Sequence, residues 1–162
     1  MNIFVLDKNI NKCAQYHCDQ HVVKMILESA QILCTALSLR GYETPYKPTH
    51  EKHPCVLWAK MSYSNFKWLS RLAYALNSEY RYRYSSKVDH KSISVVNEIQ
   101  EYEYKDRGLT EFVQAMPEEY RVKENAVKAY RNFYNYDKSR FAVWSKRHEP
   151  DWFKREYKQK IG

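Results

Sequence analysis

Apolar residues recur every three or four positions between Asn11 and Gly41, and this period predicts a helical region. Glycine at position 41 is a natural C-terminal stop. The region would be one helix of about 29 residues, or two helices separated by a kink. Ahead of it, residues 2–6 (NIFVL) form a short apolar run that predicts an edge strand or an extended arm.

A second helical region is predicted to begin at Pro54, because proline is favoured in the first turn of a helix. We expect it to break near residues 62–64 and then to continue to Tyr80. Weaker patterns predict helices over about residues 91–103 and 124–135. The sequence therefore predicts a mainly α, single-domain helical bundle over residues 1–162, with long first and second helices and a short N-terminal extended segment.

Charge and composition narrow the class of partner. The 162 residues include 27 Lys and Arg against 19 Asp and Glu, a net charge of +8, and only three glycines. The positive charge favours an anionic partner, either nucleic acid or a phosphorylated small ligand. Because a glycine-rich phosphate loop is missing, side chains would have to hold any phosphate. We expect no cofactor, and no membrane partner because no run of about 18 apolar residues occurs.

The first helical region carries a stripe of polar side chains at helical spacing: His17, His21, Lys24, Glu28 and Gln31. Because imidazoles and a carboxylate suit acid–base chemistry near neutral pH, we interpret the stripe as the wall of a pocket. His17, His21 and Glu28 are the candidate catalytic residues. Lys24 is a candidate for phosphate binding. The alternative is a hydrogen-bonded polar seam between helices.

A second pair of histidines, His50 and His53, lies in the loop before Pro54. Together with His17 and His21, this pair has a spacing that a metal site could use. No HExxH motif and no third ligand at a characteristic offset accompany them, so we predict no metal site. His50 and His53 are instead predicted to bind phosphate or base atoms of a ligand.

Aromatic, amide and basic side chains farther along the chain could bind a nucleotide. Trp68 could stack on a base, although a buried core position is the more common one for tryptophan. Asn65 could read a base edge through its amide, and Arg71 and Arg131 could pair with phosphate. We predict ligand-binding roles for these four residues.

Three segments carry a family resemblance: HCDQHVVKMILESAQ (residues 17–31), HPCVLWA from His53 and NFKWL from Asn65. They resemble a family of small, mostly uncharacterised proteins of tailed phages. This resemblance implies a phage origin and a location in the cytoplasm of the infected bacterial host.

The chain is more faintly similar to the phage pyrimidine-dimer DNA glycosylases, which are small, basic, all-α enzymes with a histidine in the first helix. That resemblance implies Schiff-base chemistry by the amine of a small residue after the initiator Met, with a glutamate soon after the first histidine. His17 matches this histidine, and the glutamate position falls near Lys24, one turn before Glu28. Residue 2 is Asn2, whose size predicts that Met1 is retained. The similarity therefore predicts the scaffold rather than the mechanism.

Three functions fit these observations. By analogy with small phage proteins that act on nucleotide signals of bacterial immunity, our main hypothesis is a counter-defence protein. It would bind a cyclic dinucleotide or a cyclic ADP-ribose type of signal and sequester it, or cleave an N-glycosidic or phosphodiester bond. The first alternative is a DNA glycosylase-like enzyme that acts on a flipped base in duplex DNA. The second is a host-takeover interaction protein without ligand chemistry. The sequence leaves open whether copies of the chain form a homo-oligomer.

Overall fold

A computed structural model describes residues 1–157, and within them the chain forms six α-helices and no β-strand. The helices are α1 (Ile10–Tyr16), α2 (Asp19–Leu39), α3 (Pro54–Met61), α4 (Tyr63–Arg83), α5 (Ser92–Glu98) and α6 (Ala126–Phe133). Short 3₁₀ turns occupy Ile99–Glu101 and Glu118–Tyr120, and a π-helical segment, Tyr134–Lys138, continues directly from α6. The predicted mainly α, single-domain bundle is confirmed.

The two longest helices, α2 and α4, pack against each other and form the centre of the bundle. Each has 21 residues. Helix α4 buries one face, as the three-to-four-residue period predicted, whereas α2 is buried on nearly all sides from Glu28 to Leu37, where only Gln31 is partly exposed. Helix α2 is long and apolar enough to cross a membrane by length and composition. However, 67% of its most apolar window is buried inside the protein, where it contacts α3, α4 and α5. It is the central core helix of this fold.

The first helical region is two helices, so the kinked alternative is confirmed. His17 and Cys18 have extended backbone conformations between α1 and α2. The Arg83 guanidinium of α4 donates to the carbonyl oxygens of Gln15 (2.7 Å) and His17 (2.6 Å), which the break leaves without helical partners. The break is therefore stabilised by a side chain that is distant in sequence.

Residues 1–6 form a buried arm rather than an edge strand. The four side chains of residues 3–6 are at most 4% exposed and belong to the main core. Arg131 holds the end of the arm, because its guanidinium donates to the Leu6 carbonyl (2.9 Å) and pairs with Asp7 (3.1 Å). The arm places the amino terminus beside the middle of α2.

The other predicted boundaries agree with the structure to within a few residues. The second region begins at Pro54, and it breaks at Ser62 between α3 and α4. The pattern over residues 91–103 corresponds to α5 and the 3₁₀ turn after it, and the pattern over residues 124–135 corresponds to α6.

Candidate active site

An ion pair between the amino terminus and α2 lies at the end of the arm. The α-amino nitrogen of Met1 is 2.9 Å from Oε1 of Glu28, whose side chain is 10% exposed. The Met1 side chain is only 3% exposed, although residue 1 as a whole is partly exposed. The accessible atoms of residue 1 therefore belong mainly to its backbone, and an amine is held within hydrogen-bonding distance of a carboxylate.

A small cleft of about 200 Å³ contains this ion pair. Its walls come from the arm, α2, the end of α6 and the π-helical segment: Met1, Asn2, Phe4, His21, Lys24, Met25, Glu28, Phe133 and Lys138. Lys24 is exposed at the cleft, and Lys138 extends over the Phe133 ring at 4.5 Å. The Lys138 ammonium also pairs with Asp137 at 3.0 Å. With three amines against two carboxylates, this region keeps a net positive charge that suits an anionic ligand, and Lys24 is its exposed cation.

His21 is held in one orientation within this cleft. Its ring stacks on Phe4 with a centroid distance of 4.4 Å, and its Nδ1 lies 2.7 Å from the Tyr134 hydroxyl. That hydroxyl accepts the Cys18 N–H at 3.2 Å and also lies 3.7 Å from the Cys18 sulfur. Burial is the main reason that the pKa of His21 is lowered to about 2. His21 is therefore a neutral imidazole near neutral pH, where it can form hydrogen bonds but does not serve as a proton shuttle.

His17 lies outside the helical stripe that the sequence predicts, because it occupies the break between α1 and α2. Its side chain is fully buried, Nδ1 bonds to the Cys13 carbonyl (2.7 Å), and Nε2 has no partner. Burial lowers the pKa of His17 to about 4. Its catalytic role stays a prediction that the geometry does not favour, and the stripe in the cleft begins at His21.

The two histidines before α3 differ in position. His53 caps α3 by accepting the Cys55 N–H at 3.0 Å. Its pKa is lowered first by burial and then by the positive charge of the Met1 amine, while a hydrogen bond with the Met1 backbone acts in the opposite direction. His53 therefore lies close to the Met1 amine, but it does not line the cleft. His50 is exposed and bonds to the Thr49 hydroxyl (2.8 Å).

A metal site receives no support from these positions. Within residues 1–157, no three His, Cys, Asp or Glu side chains are grouped so that they could hold a metal ion.

Asn65 and Arg131 are occupied by contacts within the protein. The Asn65 amide donates to the Trp58 carbonyl and to the Thr110 hydroxyl, both at 2.8 Å, and its oxygen accepts the Thr110 N–H. It fastens a distant loop to α4, whereas Arg131 holds the N-terminal arm. Neither residue lines the cleft.

Trp68 and Arg71 also lie away from the ion pair. Trp68 is buried against Trp58 and Phe112, and it borders a larger cleft of about 410 Å³. The charged residues of that cleft are Lys8, Glu111 and Glu124, so carboxylates outnumber the one amine and disfavour phosphate. Arg71 is exposed on another part of the surface. The ligand-binding roles of Asn65, Trp68, Arg71 and Arg131 stay predictions, and the structure does not bring these residues together.

The sequence reasoning missed three parts of the cleft: the Met1 amine, Asn2 and Lys138. The resemblance to enzymes with an N-terminal amine pointed to the first, but no spacing rule indicates that residue 1 meets Glu28. Lys138 reaches the cleft only because the π-helical segment packs beside the arm, which is a tertiary relationship.

A comparison with protein families adds an independent finding. A family model described as pyrimidine dimer DNA glycosylase matches residues 1–92, which is more than half of the chain. The matched region contains the arm, α1 to α4, and both members of the Met1–Glu28 pair. No curated protein and no solved structure matches the chain.

Proposed function

The chain belongs to the pyrimidine dimer DNA glycosylase family, and from this we propose that it is a DNA glycosylase whose nucleophile is the α-amino group of Met1. The observation that carries the proposal is the 2.9 Å pair between this amine and Glu28. The family acts through an N-terminal amine and a glutamate, and the cleft offers both groups. The family match favours the glycosylase alternative; the comparisons do not support the nucleotide-signal hypothesis.

The cleft changes how the family's residues map onto this chain. Glu28 and His21 both lie on α2 and both line the cleft, whereas His17 is enclosed in the core. Matching the family's histidine to His21 instead of His17 moves the expected glutamate by one helical turn, from Lys24 to Glu28. The mismatch at Lys24 then disappears. The amine belongs to residue 1 rather than residue 2, in agreement with the bulk of Asn2.

The chemistry follows from the pair. Glu28 accepts a proton from the Met1 ammonium, and the free amine attacks C1′ of the damaged nucleotide. The N–C1′ bond forms as the glycosidic bond breaks, and the base leaves with the bonding electrons and takes up the proton that the attacking nitrogen then releases. Glu28 gives its proton to O4′ as the C1′–O4′ bond opens, which leaves a protonated imine between Met1 and the sugar. Loss of a C2′ proton from this imine expels the 3′ phosphate and cuts the strand.

The size and charge of the cleft favour a DNA substrate over an enclosed small nucleotide. A volume of about 200 Å³ is below the roughly 300–1,000 Å³ of pockets that enclose whole ligands. It suits one sugar presented by a larger substrate whose bases lie outside. The exposed Lys24 at the cleft, and the net charge of +8, fit the flanking phosphates.

The direct test compares strand cutting on one labelled duplex in three forms: ultraviolet-irradiated, unirradiated, and carrying a single abasic site. We expect cutting of the irradiated and abasic duplexes at low salt and none of the undamaged duplex. Absence of cutting on both damaged duplexes would overturn the proposal. Cutting of the abasic duplex alone would overturn the glycosylase activity and leave only a lyase.

A further inference from the structure

The Asn2 side chain makes four contacts directly beside the Met1 amine. Its Oδ1 accepts from the Ile3 N–H (2.8 Å) and from the Tyr130 hydroxyl (2.9 Å), and it lies 3.7 Å from the Cys55 thiol. Its Nδ2 donates to the Ala115 carbonyl at 2.8 Å. One side chain thereby ties the arm to α3, to α6 and to the segment before Glu118.

We propose that Asn2 is the positioning residue that holds the Met1 amine against Glu28. The inference rests on the proposed function, because positioning matters only if the amine reacts. Only the backbone of residue 1 separates the fixed Asn2 from the amine, and the Met1 side chain is itself buried. With both neighbouring side chains fixed, the amine has little freedom to leave Glu28. A displacement of 1 Å at a reacting group costs up to about 100-fold in rate.

The same side chain determines which residue carries the amine. A bulky residue at position 2 predicts retention of Met1, and the contacts of Asn2 require both an amide donor and an amide acceptor. Small residues that would permit removal of Met1 cannot make those contacts. Asn2 therefore preserves the register and fixes the geometry of the nucleophile.

The groups that surround the amine define what an added charge at position 2 would change. Glu28, His21 and Lys24 come from α2, Cys55 from α3 and His53 from the residue that caps α3. Lys138, which pairs with Asp137 at 3.0 Å, comes from the π-helical segment. Glu28 is the carboxylate that contacts the amine. A second carboxylate beside the amine would stabilise the ammonium form and oppose its deprotonation.

The test uses Asn2→Asp, which keeps the size and the acceptor oxygen but removes the donor to Ala115 and adds the charge. Imine formation with abasic duplex is trapped with borohydride as a function of pH. We expect the trapping rate at pH 7 to fall at least 10-fold, and its pH midpoint to move to higher pH. Asn65→Asp is the matched control, because it makes the same change at a buried clamp outside the cleft. It should lower stability and leave the midpoint unchanged.

Tyr130→Phe removes the hydrogen bond from the Tyr130 hydroxyl to Asn2 Oδ1 without altering residue 2. We expect the rate of imine trapping to fall about threefold or more, with an unchanged pH midpoint. The inference would be overturned if Asn2→Asp and Tyr130→Phe both showed the same trapping rate and the same pH midpoint as the wild-type protein. The rate of acetylation of the Met1 amine against pH, followed by peptide mass spectrometry, needs no DNA. It therefore separates the two claims. If wild-type protein forms no imine, the proposed function fails, and an unchanged acetylation profile in Asn2→Asp would still refute the positioning role.

Discussion

Oε1 of Glu28 lies 2.9 Å from the α-amino nitrogen of Met1, and this pair joins the start of the chain to the middle of its central helix. The pair depends on two features of the fold. The buried arm carries residue 1 to α2, and α2 places Glu28 on the cleft side. A carboxylate at this distance can take a proton from the ammonium and make the amine nucleophilic.

Replacing Glu28 with Gln should remove the proton acceptor while keeping the shape of the side chain. We expect strand cutting and imine formation to fall by about 100-fold or more, because a positioned general base contributes roughly 10²–10⁴. Borohydride trapping on abasic duplex measures the loss. Glu98→Gln, at an exposed position of α5, is the charge-matched control and should act like wild type. Activity of Glu28→Gln within threefold of wild type would contradict the assigned role.

Lys24 is exposed at the cleft and should contact a phosphate of the bound duplex. Lys24→Gln should weaken binding at low salt and reduce the slope of log K against log salt by about 0.9, the value for one lost phosphate contact. Titrations of a labelled abasic duplex at several salt concentrations provide both quantities. Lys87→Gln removes the same charge from an exposed loop and should leave the slope unchanged. Equal slopes for wild type and Lys24→Gln would place the DNA elsewhere.

Local sequence patterns were sufficient for the helices but not for the break between α1 and α2. Proline at position 54 and the apolar period indicated the starts and faces of the long helices, because those signals act within one or two turns. The break at His17 depends on Arg83 of α4, whose guanidinium donates hydrogen bonds to the carbonyl oxygens of Gln15 and His17. No pattern near residue 17 encodes that contact.

The site was predictable in part for the same reason. His21, Lys24 and Glu28 share one helix face, so their spacing alone brought them together. Their position next to Met1 depends on the path of the arm, which the local sequence does not indicate. The base-reading role predicted for Asn65 had a similar weakness, because an amide that holds a loop by hydrogen bonds has the same sequence signature as one that reads a base. Tertiary contacts decide between these roles.

Two buried histidines should make the protein sensitive to mild acid. The pKa values of His17 and His21 are lowered to about 4 and about 2 by burial, whereas an unfolded histidine titrates near 6.5. Below pH 6.5 these histidines are protonated in the unfolded chain but stay neutral in the folded chain. Their contribution to the free energy of unfolding is therefore complete above this pH and decreases as the pH falls. We expect a loss of roughly 2 kcal/mol per histidine between pH 6.5 and pH 5.

Urea unfolding at several pH values measures this dependence. His17→Gln should reduce the pH slope by the contribution of one histidine, whatever its effect on stability at pH 8. His50→Gln, at an exposed histidine, should leave the slope as it is in wild type. A wild-type stability that does not change between pH 7 and pH 5 would contradict the neutral state of both buried rings.

The buried guanidinium of Arg83 should be a major contributor to stability. It pairs with Glu79 (2.9 Å) and Asp19 (3.2 Å), and its side chain is fully buried. Arg83→Met would leave two buried carboxylates and the carbonyls of the helix break with fewer partners. We expect a loss of about 3 kcal/mol or more in the free energy of unfolding.

The comparison for Arg83→Met is Arg81→Met, which removes a half-exposed pair with Asp89 from the same helix. This control should cost less than about 1 kcal/mol, because solvent screens exposed pairs. Equal costs for the two variants, measured by urea unfolding, would show that the Arg83 network is not what stabilises the break.

The identity of the nucleophile is tested most directly by locating the covalent bond. Wild-type protein is incubated with abasic duplex and borohydride, and the adduct is digested and mapped by mass spectrometry. The proposed mechanism predicts that the sugar remnant is attached to the α-amino nitrogen of a retained Met1, and that a short N-terminal extension abolishes the adduct. An adduct on Lys24, Lys138 or any other lysine, or an adduct that persists in the extended chain, would contradict it.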